Sequence, residues 1–327
     1  MTTILAGANW TMWPGIDEDD GRQTDSLVFR REHVREAYHI NVTTQPIREH
    51  EPISEGWLGV WVKAPSSSTV GIEGYTIELL DNNDNTLLGI YRNDSGEGDA
   101  AVNAPFLSEP VVALEYDTEA GEISVSFKLD ASDGYLKVFA RGVEVFSFDG
   151  DTVGSNLNEA VKTRMSRVTS SVQDARAIKL SEILLSTEPT IGFKVVDTEL
   201  SVASLSQWDG TPSNITPIGY ASTEDSLSTD AADQLVTFSR PNIPALDGDE
   251  FVASVHFETS QLAESGATAS EADLLVYDGS EHGAERVQPG TSFEEFRAQW
   301  DQDPRTNAPW TEAGVNEIEV GVASRTA

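Results

Sequence analysis

The sequence predicts an all-β protein: an antiparallel jelly-roll sandwich, followed by a second, smaller β-sandwich module with one or two short helices. Three observations predict it. Short runs of alternating apolar and polar residues recur along the 327 residues, Gly, Asn and Asp separate them, and helical periodicity is scarce.

The elements follow in chain order. Trp57 to Val62, Tyr75 to Leu80 and Thr86 to Tyr91 read as three successive strands, the last two joined by Asp81-Asn82-Asn83-Asp84-Asn85. Val111 to Tyr116, Glu122 to Leu129, Tyr135 to Ala140 and Val143 to Phe148 continue the pattern. Between the last two, Arg141-Gly142 stands where a two-residue hairpin turn needs glycine's tolerance of positive φ. Ile178 to Leu185 closes the first module, and a boundary is expected near Thr187-Glu188-Pro189-Thr190. Further strands are expected at Gln234 to Phe238, Phe251 to Phe257, Asp273 to Tyr277 and Asn316 to Val322. Two helices are expected, at Asn156 to Arg167 and at Ser292 to Trp300, the latter from a serine three residues before Glu295 and from Phe293, Phe296 and Trp300 sharing a face. The division is then an N-terminal arm over 1–19, a jelly roll over 20–189 and a β-sandwich module over 190–327.

Charge narrows the partners. With 55 acidic against 21 basic residues the formal net charge is -34. Nucleic acid and anionic membrane are therefore not expected as partners, since both require a basic face. Only six of the cations are lysine, and the acids are spread along the chain, a pattern suited to salty water where self-repulsion is screened. Cysteine is absent, so disulfides, thiolate chemistry and Cys-ligated zinc are excluded. The N-terminus has no basic, apolar leader, and no stretch has the length of a membrane-spanning helix, so a soluble chain without a cleavable signal is expected. On that expectation Asn41-Val42-Thr43 and Asn214-Ile215-Thr216 are chance glycosylation-like matches.

The strand Trp57-Leu58-Gly59-Val60-Trp61-Val62-Lys63-Ala64-Pro65, followed by Ile77-Glu78-Leu79-Leu80-Asp81, resembles the opening of the concanavalin A-like, laminin-G-like jelly rolls. Ile123 to Asp130, Asp133 to Phe139 and Gly142 to Phe146 resemble adjacent strands of the same domains, so the resemblance covers roughly residues 20 to 188. The ending Asp303-Pro304-Arg305-Thr306-Asn307-Ala308-Pro309-Trp310-Thr311, then Val315 to Gly321, is similar to that of structural proteins of tailed bacteriophages. That resemblance implies a non-enzymatic component of a virion surface, made in the host cytoplasm. It would decorate the head or associate with the tail, and act through contacts with other virion proteins and copies of itself as a homo-oligomer. The alternative is a receptor-binding fibre or spike module that recognises host surface glycans.

Candidate sites follow from these readings. Leu5, Trp10 and Trp13 would form a docking arm, because tryptophans near a free end call for a cover. Trp208 and Asp209, in a loop, are candidates for glycan or subunit contact. Asp81, Asp84, Asp130 and Asp133 offer hard oxygens that suit calcium, the only cofactor with candidate ligands, although Asn and Asp dominate turns for backbone reasons alone. Trp57 and Trp61 face one side of their strand, a spacing expected from core packing. Two-carboxylate glycoside hydrolysis finds only chance pairs, Glu115 with Glu122 or Glu73 with Glu78. His33, His39, His50, His256 and His282 stand near no recognisable nucleophile motif, and catalysis is not expected.

Overall fold

The computed structural model describes residues 3–7, 21–28, 34–40, 47–63, 74–93, 99–115, 120–153, 159–165, 179–195, 200–210, 227–248 and 250–326. The chain forms two units, Met1–Val195 and Val196–Ala327. Both are antiparallel β-sandwiches.

Among the described residues, fourteen strands build the first unit: β1 (Thr3–Gly7), β2 (Gly21–Val28), β3 (Val34–Ile40), β4 (Ile47–Ile53), β5 (Glu55–Lys63), β6 (Gly74–Leu80), β7 (Thr86–Asn93), β8 (Asp99–Asn103), β9 (Val111–Leu114), β10 (Gly121–Lys128), β11 (Gly134–Ala140), β12 (Val143–Gly150), β13 (Ala160–Met165) and β14 (Lys179–Ser186). The larger sheet runs β12-β11-β10-β5-β14-β3-β2, with β1 pairing β14 as well; the smaller runs β4-β13-β6-β7-β8-β9. Because side chains alternate along a strand, one face of each sheet meets the other. Leu58, Val60 and Val62 of β5, Ile123, Val125 and Phe127 of β10, and Leu136 and Val138 of β11 meet Ile77, Leu79, Leu88, Ile90 and Val102 in one buried cluster. The predicted turn at Arg141-Gly142 joins β11 to β12 with positive φ at both residues, 51° and 78°.

The second unit adds β15 (Ser201–Ser206), β16 (Leu235–Ser239), β17 (Val255–Gln261), β18 (Glu271–Tyr277), β19 (Glu281–Val287), β20 (Glu294–Trp300), α1 (Glu312–Asn316) and β21 (Glu319–Arg325). A five-stranded sheet, β15-β16-β21-β18-β19, packs its inner face against the β17–β20 pair. Its core gathers Phe238, Phe257, Leu274, Trp300, Trp310 and Val322.

Several expectations are corrected. Both predicted helices fall on strands: β13 occupies 160–165 and β20 occupies 294–300. Pairing decides against the local signal, since β13 lies between β4 and β6, and β20 is zipped to β17 from Val255–Trp300 to Gln261–Glu294. The helix found among the described residues, α1, is capped by the Thr311 side chain and precedes the last strand, which begins at Glu319 rather than at Asn316. The proposed arm over 1–19 is not a free segment at residues 3–7, where β1 adds to β14 with Leu5 opposite Leu185. Trp10 and Trp13 lie outside the described residues. Residues 190–195 belong to the first unit, whose boundary is set by a segment that returns across the sheet.

Candidate functional site: the outer face of the larger sheet

On β5 the outer-face residues are Glu55, Trp57, Gly59, Trp61 and Lys63, and register extends them into rows across the sheet. One row reads Ser186–Trp57–Ser126–Lys137–Ser147, from β14 through β5, β10 and β11 to β12. The next reads Leu184–Gly59–Ser124–Phe139 with Glu144 beyond, and the third is Glu182–Trp61–Glu122. On the other side of the Trp57 row stand Glu55, Lys128, Tyr135 and Asp149.

A strap, residues 187–195, covers the second and third rows. Thr190 is buried and its hydroxyl donates to Ser124 Oγ at 3.2 Å. Trp61 Nε1 donates to the Phe193 carbonyl at 3.0 Å, and the two rings lie 6.2 Å apart at 55°. Two buried carboxylates fasten the strap's backbone: Glu122 accepts from Gly192 N–H at 2.9 Å and from Ser124 Oγ at 2.6 Å, and Glu182 accepts from Val195 N–H at 2.7 Å. Gly59 leaves the space the strap occupies, for a Cβ there would lie 2.6 Å from the Phe193 ring. So Trp61 is packed, as expected, but beneath the strap and outside the sandwich core.

Beside the strap, Trp57, Lys137 and Ser147 of the first row remain accessible, while Ser126 and Ser186 are buried. Trp57 is half-buried, and its ring lies 5.4 Å from that of Phe139, at 31°. A serine between Trp57 and Lys137 keeps the surface between the two large side chains low. Tyr135 donates from its hydroxyl to Glu55 Oε1 at 3.1 Å. Burial pushes the Tyr135 phenol above its ordinary value. Lys128 is held by Asp133 at 2.6 Å, and that hydrogen bond raises its ammonium above the usual lysine range. Lys137 has no carboxylate partner among the described residues. The arrangement can stack a flat apolar surface, offer the Ser147 and Tyr135 hydroxyls and present one ammonium.

The residues singled out from the sequence have other roles. Asp81 is buried and accepts from Asn83 N–H, Asn85 N–H and Asn85 Nδ2, while Asp84 pairs with Lys162 at 2.7 Å. Asp130 accepts from the backbone of Ser132 and Asp133, which draws its carboxyl below the usual range, and Asp133 holds Lys128. These four carboxylates shape turns, and among the described residues no group of three or more His, Asp or Glu side chains is placed to hold a metal ion. Trp208 is no exposed platform: it packs on the second unit's core and donates from Nε1 to the Gln234 carbonyl at 3.0 Å, beside an Asp209–Ser228 bridge. Glu78 is buried against Arg164 and Thr86 on the smaller sheet. Glu115 is exposed, and Glu73 lies outside the described residues. His256, expected as a packed or edge histidine, lies on β17 against Arg297. The C-terminal Asp303–Thr311 stretch is structural: the buried Asp303 carboxylate accepts from Arg305 at 2.7 Å, and Trp310 donates to the Trp300 carbonyl. Sequence reasoning missed Phe139 and Lys137 because the platform joins three strands, and only the register brings them beside Trp57.

No family model matches the sequence, and no curated protein matches it. Among solved structures, the alginate lyase Aly36B is similar at a TM-score of 0.34 and 12% identity, covering 56% of this chain and 95% of that one. A variant of the same enzyme in complex with alginate tetrasaccharide gives 0.37 and 11%, covering 57% and 96%. A sialidase gives 0.31 and 12%, covering 56% of this chain and 18% of that one. These are carbohydrate-active enzymes, and none is a virion protein. The expectation of a virion structural component is corrected by that finding, and so is the expectation that the protein is not an enzyme. The C-terminal stretch that suggested a virion packs within the second unit, and a sandwich hosts many functions.

Proposed function

We propose that the first unit has a carbohydrate-related function and binds a glycan along the Trp57 row of its larger sheet. The observation that supports this reading is the half-buried Trp57 ring set against Phe139 on a rigid sheet, with Lys137 and the exposed Ser147 in the same row. Sugars present apolar C–H faces edged by hydroxyls, and a site that pairs an aromatic surface with a few fixed polar groups matches both. The sheet holds these groups in place, so little conformational entropy is lost on binding.

The test is a binding panel of neutral and acidic polysaccharides, alginate among them, with the full chain and with Trp57→Ala. Trp57 lies outside the sandwich core, so the variant keeps its circular dichroism while its affinity falls at least tenfold. Release of new chain ends from each polysaccharide is followed in the same samples, which separates binding from turnover. Uniformly null binding, or unchanged affinity in Trp57→Ala, would refute the reading.

A further inference from the structure

We propose that the ligand of this face is an anionic glycan, with its acid group seated at Lys137; the inference rests on the glycan reading above. It starts from where the lysines are. The chain has six, and all lie in the first unit: Lys63, Lys128, Lys137, Lys162, Lys179 and Lys194. Four of them are on β5, β10, β11 and β14 of the larger sheet, and a fifth, the exposed Lys194, is on the strap laid over it. Lys162 alone is on the smaller sheet, in an ion pair with Asp84. In a chain of net charge -34 with 55 acids, that concentration runs against the surrounding charge.

Lys137 is the lysine that the platform presents. It shares a row with Trp57, both on the outer face, and Ser126 lies between them. Lys128 stands one row away on the adjacent strand, opposite Tyr135. Lys128 is committed to Asp133, but neither Lys137 nor Lys63 has a carboxylate partner among the described residues. The row from Ser186 to Ser147 carries no acid; the acids of this face, Glu55, Asp149 and Glu144, stand in the neighbouring rows or at the β12 edge, and Glu122 and Glu182 are held under the strap. An ammonium left unpaired within such a row is poised for an anion from outside, because the long-range repulsion from the chain is screened within about 8 Å at physiological salt while a contact pair survives. The Trp57 and Phe139 rings confine the rest of the ligand to a flat sugar ring next to that charge.

The experiment measures the full chain's affinity, at fixed ionic strength, for a linear tetramer of uronic acid and for a neutral glucose tetramer. The proteins are the parent, Lys137→Gln and Lys162→Gln. The two variants remove the same charge from opposite sheets. The expected result is uronate binding that falls about tenfold in Lys137→Gln and stays within twofold in Lys162→Gln, with neutral-tetramer binding weaker throughout and unaffected by either substitution. Equal binding of the two tetramers, or equal losses in both variants, would overturn the anion assignment and leave the glycan reading standing. Binding of neither tetramer, together with a null polysaccharide panel, would overturn the glycan reading itself.

Discussion

Gly59 lies directly beneath Thr190: a methyl group built on the glycine would stand 2.7 Å from the threonine's Oγ1 and 2.8 Å from its Cβ. Real Cβ atoms do not come so close, so any side chain at 59 must lift the strap that crosses the sheet there. Gly59→Ala is therefore expected to destabilise the first unit by about 1–3 kcal/mol through overpacking. The loosening should appear as faster proteolysis and faster amide exchange in residues 187–195. Combining Gly59→Ala with Phe193→Ala, which removes the other atom in the way at 2.6 Å, should restore part of the loss. If exchange in the strap is unchanged by Gly59→Ala alone, the strap is not seated as described.

The turn between β6 and β7 depends on Asp81. Its carboxylate is fully buried and accepts three hydrogen bonds, at 2.8, 2.9 and 2.9 Å, from Asn83 and Asn85. Asp81→Ala leaves those donors without their acceptor and is expected to cost about 1–3 kcal/mol in denaturant unfolding. Asp81→Asn keeps one acceptor oxygen and should cost less. A calcium loop would respond differently: chelator would lower the parent's stability to that of the alanine variant, whereas a turn-holding carboxylate predicts the same midpoint with and without chelator.

These two sites show which features were legible in the sequence. Alternation and turn composition located β5 to β7, β10 to β12 and β14, because their apolar and polar residues alternate and turn residues separate most of the runs. The Arg141-Gly142 hairpin was legible for the same reason. β13 and β20 were not, since their residues are good helix formers and only pairing with β4, β6 and β17 holds them extended. Trp57 was visible as half of a pair, but alternation could not tell the core face from the outer face. That distinction came from Leu58, Val60 and Val62 filling the interior and from the strap returning over Trp61. Phe139 and Lys137 became a site only through the pairing of β10 with β11 and β5, which is long-range information.

Acid should unlatch the second unit's outer charge network. Asp273 is buried on β18; burial alone would push its carboxyl up, but hydrogen bonds from Arg286 and Arg325 outweigh it and hold it below its ordinary value of 3.8. Arg305 does the same, as the main cause, for Asp303. Both folded-state values are depressed, so the unfolded chain binds protons first as pH falls. Their stabilisation is fully present above the ordinary carboxylate value and is lost as pH drops from about 4 through the folded-state values. Amide exchange in β18 and β21 should therefore accelerate below about pH 4. Asp273→Asn is expected to lower protection there by about 2 kcal/mol at neutral pH and to flatten the acid response. An acid response as steep in Asp273→Asn as in the parent would place the titration elsewhere.

Trp310 and Trp300 form a relay at the centre of the second unit. Trp310 donates from Nε1 to the Trp300 carbonyl at 2.7 Å, and Trp300 donates from its own Nε1 to the Gly283 carbonyl at 2.7 Å. Both rings are nearly inaccessible, at 3% and 6%. Two contributions can be separated by substitution. Trp310→Phe keeps most of the apolar surface but removes the donor, and is expected to cost about 1–2 kcal/mol. Trp310→Ala also opens a cavity under β17 and β20, and is expected to cost about 3–5 kcal/mol. Protection of the β18 and β21 amides reads both. Were the alanine variant no worse than the phenylalanine one, the indole's hydrogen bond rather than its bulk would be what joins the Asp303–Thr311 loop to the core.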